Sequence, residues 1–259
     1  MKRLCTLYFS ATATTRKCVM AVASSINIHL VSSINIADIN HPPIPIYSKD
    51  DAVIVAVPVY GGRIPSLVAD KLRQVKGNRA KAIAIVVYGN RDYDDALLEL
   101  ADLLKAQDFQ VIAAAAFIGQ HSIFPKVAAS RPDKSDMNKL TEFGKICDQL
   151  LDTEMRGDLK IKGNRPYKKY SGVPVHPQGN PENCISCGTC AELCPVAAIN
   201  PQQPWTTDPT VCISCGRCIS VCRQSARNYK GIKYNMIGTI FTAAFSKRKE
   251  PELIYPSKT

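Results

Sequence analysis

Short apolar runs alternate with helical patterns through the first 155 residues of the chain. Runs such as AVIVAV at 52–57 are apolar at every position, which is typical of strands buried on both faces of a sheet. The predicted strands are 3–9, 30–36, 52–57, 82–87 and 110–117. The predicted helices are 14–25, 65–75, 93–107 and 135–151. This alternation predicts an α/β domain over 1–155, with a doubly wound, five-stranded parallel sheet.

The pattern changes after residue 155. Residues 156–180 are rich in Pro, Gly and basic residues and predict a linker that packs across the surface. Residues 181–230 contain a duplication, PENCISCGTCAELCPVAAI followed by PTVCISCGRCISVCRQSAR, and predict a small second domain. In the tail, 231–259, the apolar stretch 236–245 predicts a segment docked on the protein's own core. The alternative is a membrane-touching amphipathic helix, which is less favoured because the stretch is short and Gly238 interrupts it.

Length and hydropathy limit the classes of protein that need to be considered. The 259 residues suffice for one large and one small domain. The first residues superficially resemble a signal peptide, but their apolar run is short and we interpret it as the first strand. No stretch approaches the ~20 apolar residues of a membrane span. We therefore expect a cytoplasmic protein without a membrane span, in which thiols stay reduced.

Eight of the eleven cysteines form the chemical signature of the chain. Each copy of the duplication has the spacing C-x2-C-x2-C-x3-C, which bacterial two-cluster ferredoxins use to bind 4Fe–4S cubanes. In those proteins the last cysteine of each run ligates the other cluster. One predicted ligand set is Cys184, Cys187, Cys190 and Cys222. The other is Cys212, Cys215, Cys218 and Cys194.

Zinc and disulfides are the alternatives to clusters. Zinc sites usually use two C-x2-C pairs and not triplets followed by a fourth cysteine. Disulfides would imply a secreted chain, which nothing else in the sequence suggests. Cys5, Cys18 and Cys147 lie outside the runs and are expected to be small buried residues.

A second chemical site is expected where the parallel strands end, because ligands of such sheets bind beyond the carboxyl ends. Three loops leave these ends: residues 10–15 (SATATT), 58–63 (PVYGGR) and 88–93 (YGNRDY). The hydroxyl-rich first loop at a helix N-terminus is suited to a phosphate group. Tyrosine and glycine in the other two would allow a flat aromatic ligand to stack.

With these loops, the chain resembles a flavodoxin-like domain fused to a bacterial two-cluster ferredoxin, as in iron–sulfur flavoproteins. Residues 10–15 match the hydroxyls of the family pattern S/T-x-T-G-x-T, although alanine stands at Ala11 and Ala13 where relatives usually have glycine. The resemblance implies FMN as cofactor and a small α+β ferredoxin domain. The implied phosphate site is Ser10, Thr12, Ala13, Thr14 and Thr15. The implied residues around the flavin ring are Pro58, Val59, Tyr60, Gly61, Gly62, Tyr88, Gly89, Asn90, Arg91 and Tyr93.

The formal net charge of +11 falls to roughly +5 once two cubanes and a flavin phosphate are counted. Much of the positive charge lies in 160–169 and 247–249. These segments are interpreted as solvated loops or as a contact for an acidic redox partner, and not as a nucleic-acid site. The histidines, at 29, 41, 121 and 176, form no cluster and are assigned no role.

Three functions remain open on these residues. The first is electron transfer between FMN, two clusters and a redox partner protein that acts as donor or acceptor. The second is an FMN-dependent reductase of a small acceptor, such as a quinone or nitro compound, and the third is a redox sensor. No G-x-G-x-x-G marks a nicotinamide domain, which favours a protein donor. No catalytic acid is predicted, since Asp92, Asp94 and Asp95 are interpreted as the first turn of a helix.

Overall fold

A six-stranded mixed sheet organises the first part of the molecule, in a computed structural model that describes residues 3–154 and 157–256. The strands in chain order are β1 (Arg3–Tyr8), β2 (Leu30–Asn35), β3 (Asp51–Pro58), β4 (Lys81–Tyr88), β5 (Gln110–Ile118), β6 (Gln178–Gly179), β7 (Arg227–Asn228) and β8 (Glu252–Ile254). The large sheet has the order β2-β1-β3-β4-β5-β8, and its first five strands are parallel. The order 2-1-3-4-5 is that of flavodoxin-like folds. The five predicted strands and the doubly wound α/β fold are therefore confirmed.

Helices cover both faces of this sheet. The helices in chain order are α1 (Thr14–Ala23), α2 (Ser66–Leu72), α3 (Ala96–Ala106), α4 (Lys134–Leu150), α5 (Thr189–Glu192), α6 (Arg217–Ser220) and α7 (Ile232–Ala244). Helices α1 and α4 share one apolar cluster with the sheet, while α2 and α3 share the other. Cys5, Cys18 and Cys147 are buried within these clusters, as expected. Residues of β3 and β4 contribute to both clusters, which explains why these strands are apolar at nearly every position.

Helix α3 begins at Ala96, three residues later than predicted, because the aspartates before it bind the linker. The carboxylate of Asp95 accepts hydrogen bonds from the backbone N–H groups of Asn164 at 2.8 Å and Lys168 at 2.6 Å. The carboxylates of Asp92 and Asp94 pair with the ammonium groups of Lys162 and Lys168. The interpretation of these aspartates as a first helical turn was therefore wrong. Part of the basic linker neutralises them and is not free for a partner.

Ionisation of Asp95 depends on these linker contacts. Burial opposes it, but the hydrogen bonds from Lys168 and Asn164 outweigh burial and lower the pKa of Asp95. The linker is thus held on the first domain by partly buried, charge-assisted hydrogen bonds, which are stronger than neutral ones. The predicted boundary between residues 155 and 156 lies outside the described residues.

The tail returns to the first domain. Helix α7 packs Ile237 and Phe241 against the cluster around Phe124, and leaves Met236 and Ile240 exposed. Beyond the helix, β8 pairs antiparallel with β5, so the sheet gains a sixth strand that the sequence pattern did not predict. Three residues are too few to show a strand period.

The second domain is small and is built around the duplicated cysteine runs. Its strands β6 and β7 form an antiparallel pair, and α5 and α6 each follow the second cysteine of a run. Within residues 3–154 and 157–256, none of the helices combines the length and apolar character that a membrane crossing requires.

Candidate functional site

A cavity lies beyond the carboxyl ends of β1, β3 and β4, where the sheet topology predicts a ligand. It encloses about 1260 Å³, including space that is open to solvent. Most of the residues predicted for the flavin site line it. They are Thr12, Thr14, Thr15, Pro58, Val59, Tyr60, Gly61, Gly62, Tyr88, Gly89 and Arg91. The topology therefore brings three loops, far apart in the chain, to one pocket.

Hydrogen bonds of Ser10 fix the first loop so that its threonines remain at the cavity. The backbone N–H of Ser10 donates to Asn35 Oδ1 at 2.9 Å, and Asn35 Nδ2 returns a bond to Ser10 O at 3.1 Å. The Ser10 hydroxyl accepts from the backbone N–H of Arg16 at 3.1 Å. Ser10 is thus buried and supports the loop without lining the cavity.

The start of α1 has the properties of an anion site. In the described part of the chain, the N-cap residue Ala13 offers no side-chain cap, the Ser10 hydroxyl binds only the N–H of Arg16, and the first turn contains no acidic residue. Thr12, Thr14 and Thr15 line the cavity beside its N-terminus. Free N–H groups, the helix dipole and hydroxyls together suit a phosphate group. The residues present therefore fit the phosphate end of FMN.

Ala13 stands where the family pattern has glycine, and its backbone has a conformation that favours glycine. Its φ of 66° and ψ of −9° lie in the left-handed region, and it does not line the cavity. A β-carbon in this region costs about 1–2 kcal/mol. The loop keeps its shape with alanine at this position, at a cost in stability.

Asn90 and Tyr93 hold the tail, and neither lines the cavity. The amide nitrogen of Asn90 donates to the carbonyls of Phe245 and Lys247, at 2.8 and 2.9 Å. The Tyr93 hydroxyl donates to Glu252 Oε2 at 2.6 Å. The family resemblance implied contact with the flavin for both residues, but here their side chains fasten the C-terminal segment.

Several walls of the cavity come from segments that the sequence did not connect with it. The loop after β5 supplies His121 and Phe124, the linker supplies 171–175, and α7 supplies Ile237 and Phe241. Residues 213 and 214 of the second cysteine run complete the lining. No local pattern marks these residues, because each is distant in sequence from the three loops.

His121 is a neutral imidazole in this wall. Its Nδ1 accepts hydrogen bonds from the backbone N–H groups of Ile123 at 3.2 Å and Phe124 at 3.1 Å, so the ring proton lies on Nε2. Burial lowers the pKa of His121 to about 4, and the charge of Arg91 contributes. The sequence prediction assigned His121 no role. The structure places His121 in the wall of the candidate site.

The two cysteine runs have the same local backbone. Gly188 and Gly216 have left-handed φ values of 74° and 76° and each precedes a short helix. In each run the sulfur of the last cysteine accepts a backbone hydrogen bond four residues later. Ala198 N–H donates to Cys194 and Ala226 N–H to Cys222, both at 3.3 Å. The sequence duplication is thus a structural duplication, and N–H groups that point at sulfur suit cluster thiolates.

The last cysteine of each run lies beside the opposite run. The pKa of Cys215 is raised to about 12, mainly by burial and in part by its neighbours Cys218, Cys194 and Cys212. Burial also raises the pKa of Cys190, with contributions from Cys218, Cys184 and Cys222. Cys194 is thus a neighbour of the second run and Cys222 a neighbour of the first, and the resemblance to two-cluster ferredoxins implies a crossed arrangement of ligands.

These groups of cysteines fit cubanes by their number and placement. In the described part of the chain, no three Cys, His, Asp or Glu side chains converge on the position of a single metal ion. A cubane makes a different demand, because its four thiolates bind four separate irons. The eight cysteines of the two runs are enough for two such clusters.

The second run lies against the first loop of the α/β domain. A β-carbon built at Gly216 would lie 3.4 Å from Thr12 Cγ2, and the Ser220 hydroxyl lies 3.5 Å from Ala11 O. Arg217 forms an ion pair with Asp38. Burial raises the pKa of Tyr60 well above its usual value, and Cys215 and Cys212 are among its electrostatic neighbours. Tyr60 therefore lines the cavity and also lies beside the second run.

Comparison with known families supports the chemistry of the second domain. A model described as a 4Fe-4S binding domain matches residues 177–200. No curated protein matches the chain. The chain therefore joins an α/β domain with the flavodoxin-like strand order to a segment that matches a 4Fe-4S binding domain.

Solved structures similar to the flavodoxin-like domain cover little more than half of the chain. A flavodoxin from the domain Archaea is 12% identical and covers 59% of this chain and 100% of its own, with a TM-score of 0.45. A WrbA-like flavodoxin from Agrobacterium tumefaciens is 15% identical and covers 58% and 96%, with a TM-score of 0.41. Rubredoxin oxygen:oxidoreductase from Desulfovibrio gigas is 19% identical and covers 58% and 36%, with a TM-score of 0.40. With TM-scores this low, the fold assignment rests on the strand order of the chain itself.

Proposed function

We propose that the protein transfers electrons between FMN in the cavity and a redox partner protein, through two 4Fe–4S clusters. The observation that carries this proposal is that the second cysteine run lines the same cavity as the first loop, through Ile213 and Ser214. One fold therefore holds a candidate flavin site and a candidate cluster site in contact. A bound flavin would exchange one or two electrons, and each cluster would exchange one.

The protein's own residues would bind and orient these groups. Thr12, Thr14 and Thr15 would hold the phosphate, with Ser10 and Asn35 keeping the loop in place. Tyr60 and the glycines after it would flank the flavin ring, opposite Gly89. The eight cysteines would hold the clusters in the crossed pairing, so that Cys194 and Cys222 tie the two runs together.

The surroundings of the cysteines support an order for the transfer. Cys215 is buried beside the cavity, whereas Cys187 is exposed and has an exposed neighbour, Ile185. We therefore place the inner cluster on Cys212, Cys215, Cys218 and Cys194. The outer cluster, near the surface around Cys187, would exchange electrons with the partner.

A second candidate function is reduction of a small acceptor at the flavin. The observation that favours it is the apolar wall of the open cavity, formed by Phe124, Ile237 and Phe241. Such a wall could bind a quinone or nitro compound. In this version the clusters would supply the electrons.

An anaerobic redox titration of the purified protein, followed by its visible spectrum, tests the proposal. We expect one flavin and about eight irons per chain. Zinc without iron would contradict the whole proposal. Cys187→Ala should lose iron while the flavin stays bound, and equal loss of both would contradict two separate sites.

The choice between the two functions depends on the donor. Rapid reduction of the flavin by NAD(P)H alone would contradict a protein donor. Turnover of a quinone or nitro compound, in wild type but not in Phe241→Ala, would favour the reductase.

A further inference from the structure

Arg227 is a guanidinium buried in the ferredoxin-like domain without a carboxylate partner in the described part of the chain. The residue is 1% exposed. Its Nη2 donates to the carbonyl of Pro177 at 3.2 Å and to the hydroxyl of Thr207, while Nη1 donates to the carbonyls of Pro204 and, at 3.4 Å, Thr206. All of these acceptors are neutral oxygens. A cation in such a position is costly unless negative charge lies nearby.

The remaining donor of Arg227 has no partner. Nε is buried and forms no hydrogen bond with any described residue. The carbonyl of Pro204, which accepts from Arg227 Nη1, also accepts from the thiol of Cys190 at 3.5 Å. Strand β7, which contains Arg227, packs against α6, which contains Cys218. Cys218 belongs to the second run and Cys190 to the first, so Arg227 lies beside ligands of both predicted clusters. The missing negative charge is therefore expected from the clusters themselves.

The duplication shows that the fold does not require this charge. Arg227 follows the last cysteine of the second run by five residues, and the equivalent residue of the first run is Ile199. Ile199 is buried at 4% exposure and packs in the apolar cluster around the cysteines. One copy of the repeat thus buries an aliphatic side chain where the other buries a cation.

We propose that Arg227 compensates the charge of the two clusters and raises their reduction potentials, above all that of the inner cluster held by Cys218. Reduction adds negative charge to a cluster, so a buried cation and an N–H donor near its sulfurs stabilise the reduced form. This inference rests on the proposed function. It adds that the potentials are set from within the repeat, by a residue that only one copy has.

Potentiometric titration of the iron-loaded protein, with three variants, tests the inference. Arg227→Gln removes the charge, and Arg227→Lys retains it. Arg223→Gln is the matched control, because Arg223 is exposed and its charge acts on Cys187 through solvent. We expect Arg227→Gln to shift the cluster potentials to more negative values, Arg227→Lys to shift them less, and Arg223→Gln to leave them nearly unchanged.

The outcomes separate this inference from the function on which it rests. Iron-loaded Arg227→Gln with wild-type potentials, or an equal shift in Arg223→Gln, would overturn the role of Arg227 and leave electron transfer intact. If Arg227→Gln does not retain iron, the Arg227→Lys variant is decisive. Iron retention with potentials close to wild type would support a role for the positive charge. Iron loss in Arg227→Lys too would mean that Arg227 acts through packing. Wild-type protein without iron would instead refute the proposed function.

Discussion

The two cysteine runs have one backbone and two environments. In the first run, Cys187 is exposed and a β-carbon at Gly188 would meet no atom within 4 Å. In the second, Cys215 is buried and Gly216 lies against Thr12 of the first loop. Duplication supplied two equivalent cysteine runs, and within the described residues contact with the first loop of the α/β domain lies at only one of them. Under the proposed function, this difference would give the electron path a buried end beside the cavity and an exposed end at the surface.

The largest expected effect tests which run serves which cluster. Cys194→Ala alters the first run, but it should damage the inner cluster, because Cys194 lies beside Cys212 and Cys215. Cys222→Ala should damage the outer cluster. Each variant should retain about half of the ~8 irons. Iron analysis and the rate of electron exchange between flavin and cluster would measure this.

The crossed assignment predicts different defects in the two variants. Exchange with the flavin should be lost in Cys194→Ala and persist in Cys222→Ala. The reverse result would mean that each run binds its own cluster.

A matched pair of glycine substitutions tests the contact with the first loop. Gly188→Val and Gly216→Val impose the same backbone penalty, since both glycines have φ near 75°. Only Gly216→Val should also press on Thr12, and overpacking of this kind typically costs about 1–3 kcal/mol. Flavin affinity, measured by fluorescence titration, should fall about tenfold or more in Gly216→Val. Equal flavin affinities in the two variants would show that the second run does not affect flavin binding by the first loop.

The stability of the cavity wall should also depend on pH through His121. The folded-state pKa of about 4 lies below the ordinary 6.5, so the unfolded chain binds a proton first as the pH falls. The contribution of neutral His121 is complete above pH 6.5 and is lost as the pH falls toward 4. We expect a loss of up to about 2 kcal/mol of unfolding free energy, allowing for partial exposure.

Denaturant unfolding between pH 7 and 4 would measure this loss. His121→Asn should remove it, whereas His29→Gln, at an exposed histidine, should not. An unchanged pH profile in His121→Asn would exclude His121 as its source.

The smallest effect is expected from two alanines in left-handed conformations. Ala13 lies in the loop beside the second run, and Ala197, with φ of 51°, follows the last cysteine of the first run by three residues. Replacement by glycine removes the penalty on the β-carbon but frees the unfolded chain, so each should stabilise by about 0.5–1 kcal/mol. Thermal unfolding would measure the gain. Flavin affinity should rise in Ala13→Gly only. A rise in Ala197→Gly would mean that the first cysteine run and the flavin site are coupled.

Local patterns alone determined the α/β architecture and predicted the candidate cluster ligands. The five parallel strands follow from apolar runs that are continuous over a strand length, and the eight cysteines follow from their spacing. Each of these signals is contained within a few consecutive residues, so it can be recognised without knowledge of the fold. The three cavity loops are of the same kind, since each directly follows a predicted strand.

The tertiary structure decided what surrounds these residues. Asn90 and Tyr93 sit in a predicted flavin loop, yet they bind a tail about 155 residues further along. His121 enters the cavity wall, Asp95 holds the linker, and Arg227 occupies a position that Ile199 fills in the other copy. Each of these roles depends on contacts between segments that are distant in sequence, and local periodicity and spacing carry no information about such contacts.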